Sequence, residues 1–313
     1  MAESARRGWN RSKLTAGQAR TNSSVPLAGS GLADNRARPH YSAGWQDPWE
    51  RKVYMKDMAG KVAIVTGGAS GMGQIIARRL AAQGARVAIF DVNDQGLQAT
   101  AAESDRITAF RCDISLLEEV NTRVEEVAAQ LGPIDLLVHA AALMPSHLLI
   151  DHTHEGMERL FRINYFGTTY MVRAVLPAML ARKTGRIVAF GSIAGIALVP
   201  KMGAYCATKA AVNAYMEVLQ NEIRDSGVRA HLVCPPAVNT ALIDQSLATD
   251  SPRSIIEARK SGRLADPEKI VSAIEKGVAK DRDIIYPGEA RLLYLWRALF
   301  PRLWWKTVMH FEK

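Results

Sequence analysis

The sequence Lys61-Val62-Ala63-Ile64-Val65-Thr66-Gly67-Gly68-Ala69-Ser70-Gly71-Met72-Gly73 decides the fold of this chain. Its first six residues are mostly apolar and β-branched, which predicts a buried strand of a parallel sheet. A glycine turn follows, and then Ile75, Ile76 and Leu80 recur at helical spacing up to Gly84, which is placed to end the helix. The pattern predicts an α/β protein with a Rossmann-type doubly wound parallel sheet.

The glycine turn also predicts a site for the pyrophosphate of a dinucleotide. Glycines let the backbone approach a phosphate closely, and the dipole of the following helix favours its negative charge. A glycine cluster alone is weak evidence, but the preceding strand and the following helix supply the required context. The residues expected to hold the cofactor at this turn are Gly67, Ser70, Gly71, Met72 and Gly73.

The acidic residue Asp91 predicts which dinucleotide is used. It follows a predicted strand at residues 86–90 and lies 18 residues after Gly73. A carboxylate at that strand end can accept both hydroxyls of the adenosine ribose and would repel a 2′-phosphate. Ser70 and Val92 offer no compensating cation, so NAD is expected rather than NADP.

A second acidic residue, Asp113, follows the third predicted strand at residues 107–112. We expect it to meet the adenine of the cofactor. The alternative is that Asp113 caps the N-terminus of the helix that starts near Leu116, a common position for an aspartate.

The sequence Tyr205-Cys206-Ala207-Thr208-Lys209 predicts an activated phenol. Residues four apart share one face of a helix, so the Tyr205 hydroxyl and the Lys209 ammonium are expected side by side. A phenolate acting near pH 7 needs roughly 4 kcal/mol of stabilisation, because an unperturbed Tyr titrates near ~10. One cation at about 5 Å supplies roughly 3 kcal/mol. Taken alone, the pair could equally lie on a solvated helix face.

Four motifs in register resemble one family. Thr66-Gly67-x-x-x-Gly71-x-Gly73, Asn164, Ser192 and Tyr205-x-x-x-Lys209 closely resemble the short-chain dehydrogenase/reductase family of its common single-domain type. The resemblance covers roughly residues 58–286, and we place the domain at 58–287. It implies a seven-stranded parallel sheet with helices on both faces and a homodimer or homotetramer.

The resemblance also implies roles for the four motif residues. Tyr205 would be the catalytic acid/base, and Lys209 would lower its pKa and hold the nicotinamide ribose. Ser192 would bind the substrate oxygen by a hydrogen bond, its alternative role being that of a helix cap. Asn164 would bind a water that links Lys209 to solvent.

Two segments depart from the family pattern. His139-Ala140-Ala141-Ala142 stands where the family often has Asn-Asn-Ala-Gly, and Ala140 is expected to pack near the nicotinamide ribose. Pro235-Pro236 replaces an expected Pro-Gly, and Pro236 has no backbone amide to donate. The resemblance implies that Val238 and Thr240 meet the cofactor in this second segment.

The expected reaction is hydride transfer between NAD(P) and a secondary alcohol or ketone. The residues near the motifs that we expect to face the substrate are all apolar: Met144, Ile193, Val199, Met202 and Leu242. They favour a lipophilic substrate, with residues 241–262 as a mobile lid. The alternative is a non-catalytic NAD-binding or scaffold protein on the same fold, which the two departures would permit.

The formal net charge of +9 belongs to the two ends of the chain. Residues 58–285 carry 25 Lys and Arg against 24 Asp and Glu, so a nucleic-acid-binding core is not expected. Residues 1–57 are basic and lack periodicity, which predicts a disordered arm. Two alternatives are an organelle transit peptide and a start of translation at Met55 or Met58.

Residues 288–313 predict an amphipathic C-terminal tail. Apolar residues recur there at helical spacing, with basic residues among them. The apolar residues are Leu292, Leu295, Trp296, Leu299 and Leu303, and the basic ones are Arg291, Arg297, Arg302 and Lys306. Three interpretations stay open: packing on its own domain or another subunit, an interfacial membrane helix, or a lid over an apolar substrate pocket.

The cysteines favour a reducing, cytoplasmic location. Cys112, Cys206 and Cys234 are widely spaced and form no C-x-x-C motif. The sequence has no run of 18 or more apolar residues, so no transmembrane helix is expected, and only peripheral membrane contact through the tail is left open. The three histidines within residues 147–154 match no metal-binding pattern, so no metal site is expected.

Overall fold

The computed structural model describes residues 58–312, and the arm predicted over residues 1–57 lies outside them. Seven parallel strands form one sheet in the order β3-β2-β1-β4-β5-β6-β7. The strands are β1 Val62–Thr66, β2 Arg86–Asp91, β3 Ile107–Arg111, β4 Ile134–His139, β5 Gly185–Phe190, β6 Val228–Val233 and β7 Ile284–Ile285. The predicted seven-stranded Rossmann-type sheet is confirmed.

Helices connect the strands and cover both faces of the sheet. They are α1 Gly71–Ala82, α2 Asp94–Ala101, α3 Leu117–Leu131, α4 His154–Phe161, α5 Gly167–Ala181, α6 Gly203–Glu222, α7 Ala241–Leu247, α8 Arg253–Lys260, α9 Pro267–Ala279, α10 Ala290–Leu299 and α11 Pro301–Glu312. A π-helical turn, Arg162–Phe166, joins α4 to α5, and a 3₁₀ turn, Ile193–Gly195, follows β5.

Two apolar cores lie between the sheet and its helices, one on each face. On one face, α1 and α9 pack on the strands through side chains such as Ile76 and Ile274. On the other face, α3, α5 and α6 pack through side chains such as Val124, Met171 and Met216. Each such side chain contributes about 1.5–3 kcal/mol by leaving water, so the sheet is stabilised from both sides.

The strand order reverses between β1 and β4, which are neighbours in the sheet. In an open parallel sheet the loops on either side of such a switch point diverge and leave a crevice at the carboxyl ends of the strands. The loops that follow β1, β4, β5 and β6 carry most of the predicted site residues. The topology therefore gathers residues that are far apart in sequence.

The structure places the ends of three predicted segments. Gly84 follows α1 with φ +89°, as its predicted role at the helix end requires. Asp113 does not cap α3, because its Oδ1 accepts a hydrogen bond from Ser115 N at 2.9 Å in the preceding loop. Residues 241–262 contain two helices, α7 and α8, where the sequence showed only weak periodicity.

The turn after β1 leaves no room for a side chain at the start of α1. A Cβ on Gly73 would lie 2.2 Å from the carbonyl oxygen of Gly67, a backbone atom that cannot move aside. Gly67 itself has φ +69°, a left-handed conformation that favours glycine. The closeness of helix and strand at the crevice thus depends on bare backbone.

We expect Gly73→Ala to destabilise the protein by about 1–3 kcal/mol, because an added methyl must push α1 away from β1. The free energy of unfolding in urea measures this loss. Gly60→Ala is the control, since Gly60 has φ +73° but open space around its Cβ position. It carries only the left-handed penalty of roughly 1–2 kcal/mol. Equal stability of Gly73→Ala and wild type would contradict the close-approach argument.

Candidate active site

Tyr205 and Lys209 lie on one buried face of α6, as their spacing predicts. The Lys209 Nζ is 5.9 Å from the centroid of the Tyr205 ring. The same Nζ donates a hydrogen bond of 2.8 Å to the carbonyl oxygen of Phe190, the last residue of β5. The end of β5 therefore anchors the ammonium group beside the phenol.

Ser192 lies two residues beyond β5 and faces the same helix. Its side chain lies close enough to the Tyr205 phenol to lower the pKa of that group. Its Oγ also accepts a hydrogen bond of 3.0 Å from Ala194 N, so Ser192 caps the short 3₁₀ turn as well. The two roles considered for this serine are compatible in one conformation.

Asn213 is a part of the site that the sequence did not reveal. Its Nδ2 donates to the Ser192 carbonyl oxygen at 3.1 Å, and its Oδ1 accepts from the Ser192 amide at 3.4 Å. Asn213 is buried and lies four residues after Lys209, so it continues the face of Tyr205 and Lys209. This repeated spacing of four was the available sequence signal.

Asn164 lies in the π-helical turn and is fully buried. Its side chain accepts from Leu143 N at 2.8 Å and donates to Leu143 O at 2.9 Å. It also donates to Thr208 Oγ1 on α6 at 3.1 Å. π-Helical turns are frequent at functional sites. Here the turn ties the loop after β4 to the helix that carries Tyr205, and a water at Asn164 stays a prediction.

Burial dominates the electrostatics of the pair. Loss of water around the phenol raises the pKa of Tyr205 above its ordinary value, and the nearby Ser192 side chain lowers it by less. Burial also lowers the pKa of Lys209 to about 8. The prediction that Lys209 lowers the pKa of Tyr205 considered the attraction of the ammonium charge and left out the loss of water around the phenol. With the surroundings that the chain itself supplies, Tyr205 is a neutral phenol at neutral pH.

His139 takes the position of the family's first asparagine and links two strands. Its Nδ1 lies 2.9 Å from Thr66 Oγ1, and that oxygen also accepts from the amides of Ala140 and Ala141 at 3.1 and 3.2 Å. Burial, and then the charge of Lys209, lower the pKa of His139 to about 3. A neutral imidazole therefore joins β4 to β1 at the edge of the crevice.

A cavity of about 540 Å³ opens along the crevice. The predicted cofactor residues that line it are Gly67, Ser70, Gly71, Met72, Gly73, Asp91, Asp113, Ala140 and Thr240. Tyr205, Lys209 and Val238, also predicted to meet the cofactor, do not line it. The Val238 side chain is buried in the core and its backbone bridges to Ala265. The bare glycine turn and the N-terminus of α1 suit a dinucleotide pyrophosphate, so the residues present fit the group that the family implies.

Asp91 is held in place at one end of the cavity by backbone amides. Its Oδ2 accepts from Ala69 N at 3.2 Å, and its Oδ1 accepts from Val92 N at 2.8 Å and Asn93 N at 3.1 Å. These bonds fix the direction of the carboxylate. A carboxylate has about four acceptor positions, so capacity for further hydrogen bonds remains.

Most of the residues predicted to face the substrate cluster around Tyr205. Met144, Val199, Met202 and Leu242 pack with it in one apolar group. Ile193 is the exception: it packs with Ala290 and Trp304 in a separate group. The sequence could not show this, because the separation depends on where the C-terminal helices fold back.

Residues 241–262, predicted to form a mobile lid, are joined to the loop after β4 by polar contacts. Gln245 on α7 accepts a hydrogen bond of 3.0 Å from Met144 N. The buried hydroxyls of Ser146, Ser246 and Ser251 form a chain with oxygen separations of 2.7 and 2.8 Å. These contacts join the loop after β4 to α7 and to the segment before α8.

Two of the three histidines within residues 147–154 lie close together. The rings of His147 and His152 are 5.2 Å apart, edge to face. Across residues 58–312, no group of three or more His, Cys, Asp or Glu side chains is placed to hold a metal ion.

Comparisons with known proteins agree with this geometry. A family model described as short chain dehydrogenase matches residues 61–251. The chain is 28% identical over 254 residues to estradiol 17-beta-dehydrogenase 11 of Rattus norvegicus, a match that covers 79% of this chain and 82% of that protein. It is 36% identical over 194 residues to 2-dehydro-3-deoxy-L-rhamnonate dehydrogenase (NAD(+)) of Sphingomonas sp. (strain SKA58), covering 62% of this chain and 78% of that protein.

A solved structure extends the similarity to the whole fold. The crystal structure of a short chain dehydrogenase/reductase from Burkholderia phymatum in complex with NAD matches with a TM-score of 0.72 and 27% identity. The match covers 79% of this chain and 96% of that one. The family model spans the glycine turn, Asn164, Ser192 and the face of α6 with Tyr205 and Lys209. The chain belongs to the short-chain dehydrogenase family.

Proposed function

We propose that this protein is an NAD-dependent oxidoreductase that interconverts a lipophilic secondary alcohol and its ketone, with Tyr205 as the acid/base. One observation carries the proposal. Tyr205, Lys209 and Ser192 form a buried group on α6 and the end of β5, and Leu242, which packs in the apolar group of Tyr205, also lines the cavity suited to a dinucleotide. Membership in a family of oxidoreductases that act on CH–OH groups supports it.

The cofactor would be held by the chain's own backbone and by two carboxylates. Gly67, Gly71 and Gly73 line the cavity at the N-terminus of α1, where the pyrophosphate would bind. Asp91 would accept the adenosine ribose hydroxyls, and Asp113 lies near the same end of the cavity. When bound, the nicotinamide dinucleotide would supply the hydride acceptor or donor for the reacting carbon.

The choice of NAD over NADP rests on Asp91. A 2′-phosphate would place negative charge against this fixed carboxylate, whereas the two hydroxyls of NAD can donate to it. The printed name of the Sphingomonas relative includes NAD(+), and the Burkholderia structure is a complex with NAD, which supports the same choice.

The three buried side chains divide the proton chemistry. In ketone reduction, the neutral Tyr205 phenol donates its proton to the forming alkoxide, and Ser192 steadies the same oxygen by a hydrogen bond. In alcohol oxidation, Tyr205 must accept that proton as a phenolate. The Lys209 ammonium and the Ser192 hydroxyl then stabilise the phenolate against the cost of its burial.

The apolar group around Tyr205 supports a lipophilic substrate. Met144, Val199, Met202 and Leu242 offer neither the hydrogen-bonding side chains that bind a sugar nor the charge that binds an organic acid. The steroid-alcohol name of the Rattus norvegicus relative is compatible with this substrate class. We further propose a homodimer or homotetramer, which the family resemblance implies.

Tyr205→Phe is expected to lower kcat/KM about 10²–10⁴-fold, because the acid/base is removed and the ring is kept. Initial rates of NADH formation, measured with a panel of lipophilic secondary alcohols, check this. Affinity for NAD should stay close to wild type. Tyr215→Phe is the matched control, since Tyr215 lies on the same helix but packs against Tyr165. Near-normal turnover in Tyr205→Phe would refute its assigned role, and cofactor binding without turnover in wild type would support a non-catalytic protein.

Asp91→Asn should shift cofactor preference from NAD towards NADP, because it removes the negative charge but keeps an oxygen for the backbone amides. We expect the ratio of kcat/KM for NAD to that for NADP to fall about 10- to 100-fold, the range for losing one or two charged hydrogen bonds. Asp94→Asn, at the exposed start of α2, is the control. An unchanged ratio would remove Asp91 from the specificity argument.

Asn213→Ala should lower kcat about tenfold and leave cofactor affinity near wild type, because it frees the backbone of Ser192 without touching the cavity. Steady-state kinetics and cofactor titration separate the two effects. Asn221→Ala is the control on the exposed side of α6. A variant that loses stability but keeps kcat would show that Asn213 braces the fold and does not position Ser192.

A further inference from the structure

The C-terminal helices α10 and α11 are attached to the domain by one side only. Leu293 and Trp296 on α10 and Val308 on α11 pack in a small apolar group with Ile193 and Trp304. The Trp304 indole also donates a hydrogen bond of 3.0 Å to Leu198 O. The inward side of the pair is therefore satisfied by the domain itself.

The outward side of the same two helices is also apolar. Its exposed residues, here called the tail surface, are Leu292, Leu295, Leu299, Phe300, Leu303, Trp305, Met309 and Phe311. Leu292 and Leu299 expose 70% and 66% of their surface. Helices that are apolar on two sides are normally buried on both, and clustered exposed apolar residues mark interaction sites.

Three exposed basic residues on the same two helices have no ion-pair partner within the described residues 58–312. Arg291, Arg302 and Lys306 are exposed and form no ion pair with any residue of the range 58–312. Residues 286–312 hold two acids, Glu289 and Glu312. The Glu312 carboxylate is already engaged, because it accepts from the amides of Arg253 and Ser254 at 2.8 and 3.0 Å. The surface is thus apolar and net positive.

We propose that the tail surface docks on the surface of an anionic phospholipid bilayer. Leu, Phe and Trp side chains of such a helix enter the boundary between headgroups and acyl chains, and Arg and Lys meet the anionic headgroups. The helices would lie on the bilayer, because none in the described part of the chain is long and apolar enough to cross it. A contact between two copies fits less well, since it would bring Arg291, Arg302 and Lys306 of one copy against those of the other.

The C-terminal helices contact the loop that packs beside Tyr205. Trp304 bonds Leu198, and Leu198 belongs to the apolar group around Tyr205. Leu149 packs against Gly203 at the start of α6. A Cβ added to Gly203 would come within 2.6 Å of the Leu149 side chain. Leu149 is itself part of an exposed apolar run, Leu148 to Ile150. Docking would therefore hold the loop beside Tyr205 close to the bilayer. That this helps a lipophilic substrate reach the site rests on the proposed function.

Vesicle flotation with the full chain tests the proposal. The vesicles are phosphatidylcholine alone or a 7:3 mixture with phosphatidylserine. Wild type should bind the mixed vesicles at least tenfold more tightly than the neutral ones. Leu292→Asp/Leu303→Asp and Arg302→Glu/Lys306→Glu should each lower the affinity for mixed vesicles about tenfold or more. Leu117→Asp, an exposed leucine at the start of α3, is the matched control and should bind like wild type.

The two double variants decide the outcome, because residues 1–57 are also basic and could bind anionic vesicles by themselves. Wild-type affinity in both variants, or no binding by wild type, would overturn the proposal. Light scattering adds a second criterion: a drop in molar mass of the leucine variant with unchanged vesicle binding would identify a contact between copies and overturn it too. Vesicle binding needs no hydride transfer, so a failed turnover assay leaves this result intact.

Discussion

The fold depends on Gly73, a position that has no room for a side chain. The start of α1 lies so close to the end of β1 that a single Cβ on Gly73 would overlap the Gly67 carbonyl. This close approach points the helix N-terminus into the crevice at the switch point between β1 and β4. The bare backbone of the turn, with Asp91 fixed by amides beside it, is what makes the crevice suitable for a dinucleotide.

The proposed catalytic group is held by hydrogen bonds that join α6 and the π-helical turn to the end of β5 and to the loops after β4 and β5. Phe190 O at the end of β5 anchors Lys209, Asn213 holds both backbone polar groups of Ser192, and Asn164 binds the loop after β4 to α6. Each contact joins segments that are distant in sequence. Burial gives these contacts their strength, and the same burial raises the pKa of Tyr205 and lowers that of Lys209.

The C-terminal helices α10 and α11 are apolar on two sides. Their inward apolar side is matched by Ile193 and by the loop that carries Leu198, whereas the tail surface has no counterpart in the described chain. Trp304 connects the two, because it lies in the inward group and bonds the loop next to Tyr205.

The sequence by itself determined the strand, glycine turn and helix at residues 61–84 and the shared face of Tyr205 and Lys209, because these follow from local periodicity and fixed spacing. The four motifs in register also carried the resemblance to the family. Only the tertiary structure decided that Ile193 packs under Trp304, that Val238 enters the core, that Asn213 supports Ser192, and that the pKa of Tyr205 rises. Each of these depends on contacts or on loss of water between segments far apart in the chain, which periodicity does not encode.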